Sequence, residues 1–173
     1  MQFNILYEDG SLLVVEKPAG LVSFPEGNVR EKTLMDYLVE KYPELKDVGE
    51  KPRYGMVHRL DKDTSGIIVV AKQEEALIFL QKQFKNRGVE KKYTALATGL
   101  FKEDFGTIDS FIGRSPADPR KQKAYQATEK KPESAREALT EYKVTQRFQE
   151  YTLLDVVIKT GRKHQIKIGR AHV

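Results

Sequence analysis

The chain has 173 residues, of which 39% are hydrophobic and 32% charged, with a formal net charge of +5 at pH 7 and no cysteine. This composition predicts one soluble globular domain, and the lack of cysteine excludes a disulfide framework and thiolate metal sites. No apolar run approaches the roughly 18 residues of a membrane span. The N-terminus has no basic start followed by an apolar segment, so we expect a cytoplasmic location. The positive charge permits an RNA or DNA partner without requiring one.

The first third of the chain predicts two strands, an irregular segment and a helix. Strands at Phe3–Tyr7 and Leu12–Lys17 flank a Glu-Asp-Gly-Ser turn, and residues 21–31 are expected to be irregular. Residues Thr33–Tyr42 place leucine and tyrosine at helical spacing, and the proline that follows ends this helix. A polar loop over 44–53 leads into the next segment.

An apolar strand and a second helix come next. Gly66–Lys72 is a β-branched run that we expect to be covered on both faces of its sheet. Residues Glu74–Arg87 carry Leu77, Leu80 and Phe84 on one helical stripe, and the glycine at position 88 is expected to end this helix.

The remaining sequence is rich in strands. Strands are predicted at Lys91–Thr98 and Thr107–Gly113, and a pair at Leu139–Phe148 and Tyr151–Lys159 surrounds a short turn. Residues 114–135 are polar, lysine-rich and interrupted by proline, which is typical of a surface loop, with contact to a phosphate backbone as the alternative. Many strands joined by short turns, with two helices, predict an α+β domain around a largely antiparallel sheet.

The polar segment just before the apolar strand concentrates the candidate chemistry. Asp61 and Asp63 are two residues apart and could supply metal ligands. Asp63 and Thr64 are also typical of a turn held by side-chain to backbone hydrogen bonds. Arg59 could pair with Asp61 or with a phosphate, and a carboxylate beside a guanidinium stays ionised and can act as a nucleophile.

Four segments resemble, in order, the motifs of one enzyme family. The segment HRLDKDTSG at 58–66 matches the H-R-L-D-x-x-T-S-G signature of the RluA-type family of RNA pseudouridine synthases. Three further segments are similar to the family's other motifs: VVEKPAGL at 14–21, KYTALATG at 92–99 and TGRKHQIK at 160–167. The resemblance extends over about residues 5–167, and the first motif has few free positions, which makes it specific.

The resemblance implies the pseudouridine synthase fold and an isomerase that converts uridine to pseudouridine in ribosomal or transfer RNA, with no cofactor and no metal. It implies Asp61 as the nucleophile and Tyr93 as the aromatic residue that stacks on the uracil. Lys167 lies where the family has an arginine that pairs with the catalytic carboxylate.

The resemblance also implies a set of residues that bind RNA or shape the pocket. Arg59 would fill the gap left by the extruded nucleotide and pair with phosphate, because enzymes that act on a stacked base generally flip it out. The complete set of RNA-binding candidates is His58, Arg59, Arg162 and His164.

Structural roles and other functions remain as alternatives. From the sequence alone, Lys17 could be a solvated turn residue, Tyr93 a core residue of its strand, and Arg162 a cation at a helix start. One alternative function is a non-catalytic RNA-binding module. Another is a Mg-dependent phosphohydrolase that uses Asp61 and Asp63.

The C-terminal end departs from the family pattern. We expect residues 1–173 to be a pseudouridine synthase catalytic domain that is incomplete at its C-terminus, because the family continues for several tens of residues. Residues 168–173, IGRAHV, do not resemble that continuation. The DNA string ATC GGA AGA GCA CAC GTC TGA encodes them with a stop and lies inside a common sequencing adapter. We therefore interpret 168–173 as a non-native tail and Lys167 as a codon that is only partly native.

Overall fold

The computed structural model describes residues 3–27, 30–118 and 120–169, and the chain divides into two compact units, Met1–Gly88 and Val89–Val173. The first unit contains a three-stranded sheet and the second a five-stranded sheet, each antiparallel throughout. Antiparallel sheets combined with helices confirm the predicted α+β class. Within these described residues, no helix is long and apolar enough to cross a membrane.

The sheet of the first unit has the order β1-β2-β3. Its strands are β1 (Asn4–Glu8), β2 (Leu12–Lys17) and β3 (Gly66–Ala71). Alternate residues of β2 are buried, as the period of two in a strand predicts. Lys17, the last residue of β2, pairs in register with Gly66, the first residue of β3. This pairing brings the middle of the VVEKPAGL segment next to the end of the HRLDKDTSG segment.

Two α-helices and a short 3₁₀-helix complete the first unit: α1 (Leu34–Lys41), the 3₁₀-helix Pro43–Asp47 and α2 (Glu74–Lys85). Thr33 caps α1 in a capping box, in which its hydroxyl accepts from the N–H of Asp36 and the Asp36 carboxylate accepts from the N–H of Thr33. Because the 3₁₀-helix extends to Asp47, it overlaps the start of the predicted polar loop at 44–53.

Two details of the predictions for this unit are wrong. β3 is not covered on both faces, because Ile67 is 57% exposed while Ile68 is fully buried. Gly88 does not itself end α2, because the helix stops at Lys85 and Arg87 already has a φ of +59°. Burial of one face only is typical of an antiparallel sheet.

The sheet of the second unit has the order β4-β8-β7-β5-β6, and a one-turn helix, α3 (Gln165–Gly169), follows it in the chain. Its strands are β4 (Lys92–Thr98), β5 (Phe105–Arg114), β6 (Gln122–Tyr125), β7 (Arg136–Arg147) and β8 (Tyr151–Ile158). One apolar cluster of this unit consists of Ala97, Phe101, Leu154, Val156 and Ile158.

The segment 114–135 differs from its prediction as a loop without regular structure. It contains β6, which pairs with β5 from Phe111↔Tyr125 to Arg114↔Gln122. Tyr125 is 1% exposed, and its hydroxyl donates to the carbonyl oxygen of Arg114, 2.7 Å away. The lysine-rich part is therefore fixed to the sheet through a buried tyrosine.

Candidate active site

Asp61 lies in the loop between the isolated β-bridge at Met56 and the start of β3. Its carbonyl oxygen accepts a hydrogen bond from the N–H of Thr64, 3.1 Å away, so a main-chain hydrogen bond closes the turn that was predicted to be held by side chains. The Asp61 side chain is half-buried and Asp63 is exposed. Gly66 ends the turn with a φ of +143°, a backbone conformation that side-chain-bearing residues rarely adopt.

The residue after Asp61 is held by Lys17. The Lys17 side chain is fully buried, and its ammonium nitrogen donates to the carbonyl oxygens of Pro18, Leu21 and Lys62 at 2.9, 2.7 and 3.0 Å. The interpretation of Lys17 as a solvated turn residue is therefore wrong. A buried ammonium is stable only where hydrogen bonds replace its hydration, and these carbonyls do so.

The residue before Asp61 is held by Ser23, which the sequence analysis did not single out. The Ser23 hydroxyl donates to the carbonyl oxygen of Leu60 at 2.8 Å and accepts from the Leu60 N–H at 3.2 Å. Both residues are buried, at 2% and 6% exposure. The two residues that flank Asp61 are thus anchored by the last residue of β2 and by the segment that follows it.

His58 and Arg59, both predicted to bind RNA, have different surroundings. The Nε2 atom of half-buried His58 accepts from the N–H of Val69 at 3.1 Å, and its ring stacks on Phe84 with centroids 4.9 Å apart. These contacts tie the loop to β3 and α2, which is a structural role beside the predicted one.

Arg59 lies on the exposed side of the loop. Its guanidinium forms an ion pair with Glu26 and lies 5.4 Å from the centre of the Phe24 ring. Arg53 approaches the same two side chains, 3.8 Å from the Glu26 carboxylate and 4.8 Å from the Phe24 ring. Two guanidinium groups therefore share one carboxylate and one aromatic ring, and both are accessible to a phosphate.

Tyr93 belongs to the second unit, where it lies on β4 opposite Val156 of β8. Its half-buried ring packs against the apolar cluster of that unit. Tyr93, Ala95 and Ala97 lie on the more buried face of β4, as the alternation predicts. The position serves as core packing, and the proposed stacking on uracil remains a prediction.

Lys167 lies on α3, at the wall of a pocket of about 170 Å³ inside the second unit. The lining is mainly apolar and includes Phe101, Tyr142 and Ile166. The Lys167 side chain is exposed. Its pairing with the catalytic carboxylate remains a prediction. Residues 168–173 were interpreted as a non-native tail, which remains a prediction; of these six residues, 170–173 lie outside the described residues.

Gln165 is the residue that orders the TGRKHQIK segment, although no pattern in the sequence distinguishes it from its neighbours. The side chain is 3% exposed, and its oxygen accepts from the Thr160 hydroxyl and the Arg162 N–H, both at 2.9 Å. Its nitrogen donates to the Leu139 carbonyl and the Thr140 hydroxyl at 3.1 and 2.9 Å. A buried amide with all these partners fixes the start of α3 to β7.

Arg162 and His164, the other predicted RNA-binding residues, flank this amide. The Nε of Arg162 donates to the carbonyl oxygen of Glu137 at 2.7 Å. His164 is half-buried and has a φ of +58°, and its carbonyl oxygen accepts from the N–H of Ile168 at 2.9 Å. Contact of either side chain with RNA remains a prediction.

The described residues contain no group of three or more His, Cys, Asp or Glu side chains that could hold a metal ion. Because Mg²⁺ is often held by only one or two carboxylates together with substrate phosphates, the phosphohydrolase alternative remains a prediction to be tested.

Comparison with known proteins places this loop in a family. A family model described as RNA pseudouridylate synthase matches residues 11–172. The chain belongs to the RNA pseudouridylate synthase family. The resemblance seen in the sequence is confirmed, and all four motif segments lie within the matched residues.

Several bacterial pseudouridine synthases are similar to this chain. An "Uncharacterized RNA pseudouridine synthase" of Aquifex aeolicus is 44% identical over 172 residues, which are 98% of this chain and 52% of the relative. "Ribosomal large subunit pseudouridine synthase D" of Xanthomonas campestris is 40% identical over 170 residues, 98% of this chain and 48% of the relative. The chain therefore spans about half the length of these relatives.

Two solved human pseudouridylate synthase structures share the fold. Human RNA Pseudouridylate Synthase Domain Containing 1 superposes with a TM-score of 0.76 at 26% identity, over 97% of this chain and 64% of its own. Domain Containing 4 gives 0.74 at 26% identity, over 95% and 62%. The predicted pseudouridine synthase fold is confirmed.

Proposed function

We propose that this pseudouridine synthase chain isomerises specific uridines in RNA to pseudouridine, with Asp61 as the nucleophile. The observation that carries the proposal is the HRLDKDTSG loop, which presents a half-buried carboxylate between two anchored neighbours. Membership in the family supports the reaction type. A cytoplasmic location is part of the proposal, because the chain is similar to bacterial enzymes that are named for ribosomal RNA.

The reaction rearranges bonds without adding or removing atoms. The bond from ribose C1′ to uracil N1 breaks, the base turns, and a bond from C1′ to uracil C5 forms, while the proton at C5 is lost and N1 gains one. Such a reaction needs a carboxylate nucleophile and cations that keep it ionised. We assign the role of nucleophile to Asp61. We assign to Tyr93 the aromatic surface that stacks on the uracil, and to Lys167 the cation that pairs with the Asp61 carboxylate. No cofactor or metal enters this scheme.

We propose ribosomal RNA of the large subunit as the first substrate class to test, with transfer RNA as the second. The support is the name of the Xanthomonas relative and of similar synthases from Borreliella burgdorferi and Pseudomonas aeruginosa, which are called ribosomal large subunit pseudouridine synthase D. On the chain itself, Arg59 and Arg53 present two guanidinium groups at the surface, which suit the phosphates of an RNA backbone.

Tritium release tests the proposal. Unmodified large-subunit rRNA and tRNA transcripts carrying [5-³H]uridine are incubated with the 173-residue chain and with the product of the whole reading frame of its gene. Because C5 exchanges its hydrogen for the bond to ribose, each isomerisation releases one tritium. We expect release with at least one transcript, and its loss in Asp61→Asn with RNA binding retained.

A matched variant separates this proposal from its alternatives. Asp63→Asn makes the same change two residues away on an exposed side chain and should retain tritium release, with or without EDTA. If both the 173-residue chain and the product of the whole reading frame bind RNA and neither releases tritium, the non-catalytic RNA-binding module is favoured. Release that requires Asp63 and a divalent cation would contradict the assigned roles.

A further inference from the structure

Ser23 makes a paired contact with the backbone of the residue before Asp61. Its single hydroxyl both donates to the Leu60 carbonyl at 2.8 Å and accepts from the Leu60 N–H at 3.2 Å. Ser23 and Leu60 are separated by 37 residues in the chain and are both buried. The hydroxyl thus takes the place of a strand partner for a loop peptide.

The Ser23 backbone is itself fixed. The N–H groups of Leu34 and Met35, in the first turn of α1, donate to the carbonyl oxygens of Val22 and Ser23 at 2.8 and 3.0 Å. These donors belong to the helix end that would otherwise lack partners. Hydrogen bonds therefore join the capped start of α1 to the Ser23 backbone, and the Ser23 hydroxyl to Leu60.

The residue after Asp61 has its own anchor. The carbonyl oxygen of Lys62 accepts from the Lys17 ammonium at 3.0 Å and from the Gly20 N–H at 2.8 Å. Both neighbours of Asp61 are thus held at main-chain atoms, while the Asp61 side chain between them stays half-exposed. Main-chain anchoring on both sides limits where the carboxylate can point.

We propose that Ser23 is a positioning residue, which sets the location of the Asp61 carboxylate through the Leu60 peptide. The inference rests on the proposed function, because it assigns Ser23 a role in the reaction of Asp61. Its physical basis is that a displacement of about 1 Å in a reacting group can lower a rate about 100-fold. Ser23 is buried and has no direct part in binding RNA.

Kinetics of Ser23→Ala test this role. We expect kcat for uridine isomerisation to fall about 10- to 100-fold, with KM for RNA within about 2-fold of the unsubstituted protein, because the exposed groups that meet RNA are unchanged. Ser23→Thr keeps a hydroxyl at the same carbon and should restore kcat to within about 3-fold. Rescue by a hydroxyl is not expected if Ser23 acts through its size alone.

Tyr42→Phe is the matched control. It also removes a hydroxyl from the first unit, one that donates to Glu8 at the end of β1 and not to the loop that carries Asp61. We expect it to lower stability without a change in kcat. An equal fall of kcat in Tyr42→Phe and Ser23→Ala would overturn the inference, because it would show a general effect of destabilisation.

Hydrogen exchange gives a readout that does not depend on turnover. The Leu60 amide should exchange at least about 10-fold faster in Ser23→Ala than in Tyr42→Phe, because its acceptor is lost only in the former. Unchanged Leu60 exchange, or full kcat in Ser23→Ala, overturns the positioning role while the proposed function stands. No turnover by the unsubstituted protein overturns the proposed function, and the role of Ser23 in it, whatever the exchange result.

Discussion

The phenolic hydroxyl of Tyr42 donates a hydrogen bond to the carboxylate of Glu8, 2.6 Å away, and the Lys72 ammonium donates to the same carboxylate at 2.8 Å. These side chains come from the end of α1, the end of β1 and the residue after β3. Burial, followed by the hydrogen bond and charge of Glu8, raises the pKa of Tyr42 to about 12. Hydrogen bonds from Lys72 and Tyr42 hold the pKa of Glu8 below its ordinary value.

This cluster makes stability depend on pH at both extremes. Because folding raises the pKa of Tyr42 from 10.0 to about 12, its contribution is full below pH 10.0 and is lost as pH rises through about 12. Because folding lowers the pKa of Glu8 from 4.5, its contribution is present above pH 4.5 and is lost as pH falls through the folded value. The free energy of unfolding, measured with urea, should be constant between about pH 4.5 and 10.0 as far as these two groups are concerned. Tyr42→Phe should lower it over this whole range without making the range narrower.

The stability above pH 10.0 separates the contribution of Tyr42 from that of Glu8. Tyr42→Phe should remove the part of the alkaline loss that Tyr42 causes, so the stability difference from the unsubstituted protein narrows above pH 10.0. Tyr151→Phe, at a tyrosine that is 43% exposed in the second unit, is the control and should leave the curve unchanged. A difference between the unsubstituted protein and Tyr42→Phe that stays constant through pH 12 would contradict the assigned pKa.

Lys17→Met should destabilise the protein strongly. The substitution keeps an unbranched apolar side chain but leaves the carbonyl oxygens of Leu21 and Lys62 without the ammonium donor, at a cost of about 2–4 kcal/mol in free energy of unfolding. Chemical denaturation measures this loss. Lys32→Met is the matched control, because Lys32 pairs with Glu40 at the surface and exposed pairs contribute about 0–1 kcal/mol. Equal losses in the two variants would show that the Lys17 hydrogen bonds contribute little.

Gly55→Ala tests the close approach of two backbone segments behind the loop. A Cβ atom at Gly55 would overlap the carbonyl group of Ala71, whose N–H donates to the Gly55 carbonyl at 2.9 Å. We expect a loss of about 1–3 kcal/mol or more, because the obstacle is backbone and cannot rotate away. Gly10→Ala, where nothing lies within 4 Å, should change stability by less than about 1 kcal/mol. A Gly55→Ala protein as stable as Gly10→Ala would refute the close approach.

Local sequence was sufficient for most of the helices and strands. The Glu-Asp-Gly-Ser turn, the helical spacing of α1 and the alternation of β4 depend on neighbours within a few residues, and each is present. The exposure of Ile67 and the pairing of β6 were not predictable in this way. The first depends on what covers the far face of a sheet, and the second depends on a hairpin partner for a polar four-residue strand.

In the candidate site, too, some features follow from the local sequence and others depend on distant parts of the fold. The HRLDKDTSG motif is local, so Asp61 and Arg59 could be proposed as site residues from the sequence, and a turn at Thr64 could be predicted. The anchors were not, because Lys17 and Ser23 reach partners 45 and 37 residues away. Lysine beside proline and glycine, or a serine in an irregular segment, is typical of a solvated loop, and only the fold buries them. The four-fold hydrogen bonding of Gln165 likewise depends on β7, more than 20 residues earlier.

Glu26→Gln should strengthen RNA binding, on the proposal that Arg59 meets phosphate. The Glu26 carboxylate forms an ion pair with the Arg59 guanidinium and lies 3.8 Å from the Arg53 guanidinium. A phosphate that binds Arg59 must therefore displace the Glu26 carboxylate. Exposed pairs contribute about 0–1 kcal/mol, which corresponds to a fall in Kd of up to about 5-fold, and the gain should shrink as salt screens these charges. Fluorescence anisotropy with a labelled rRNA fragment at several KCl concentrations measures the effect. Glu40→Gln removes the same charge from the surface pair with Lys32 and is the control for net charge. An equal fall in Kd for both variants would contradict a specific role of Glu26 and leave only the change in overall charge.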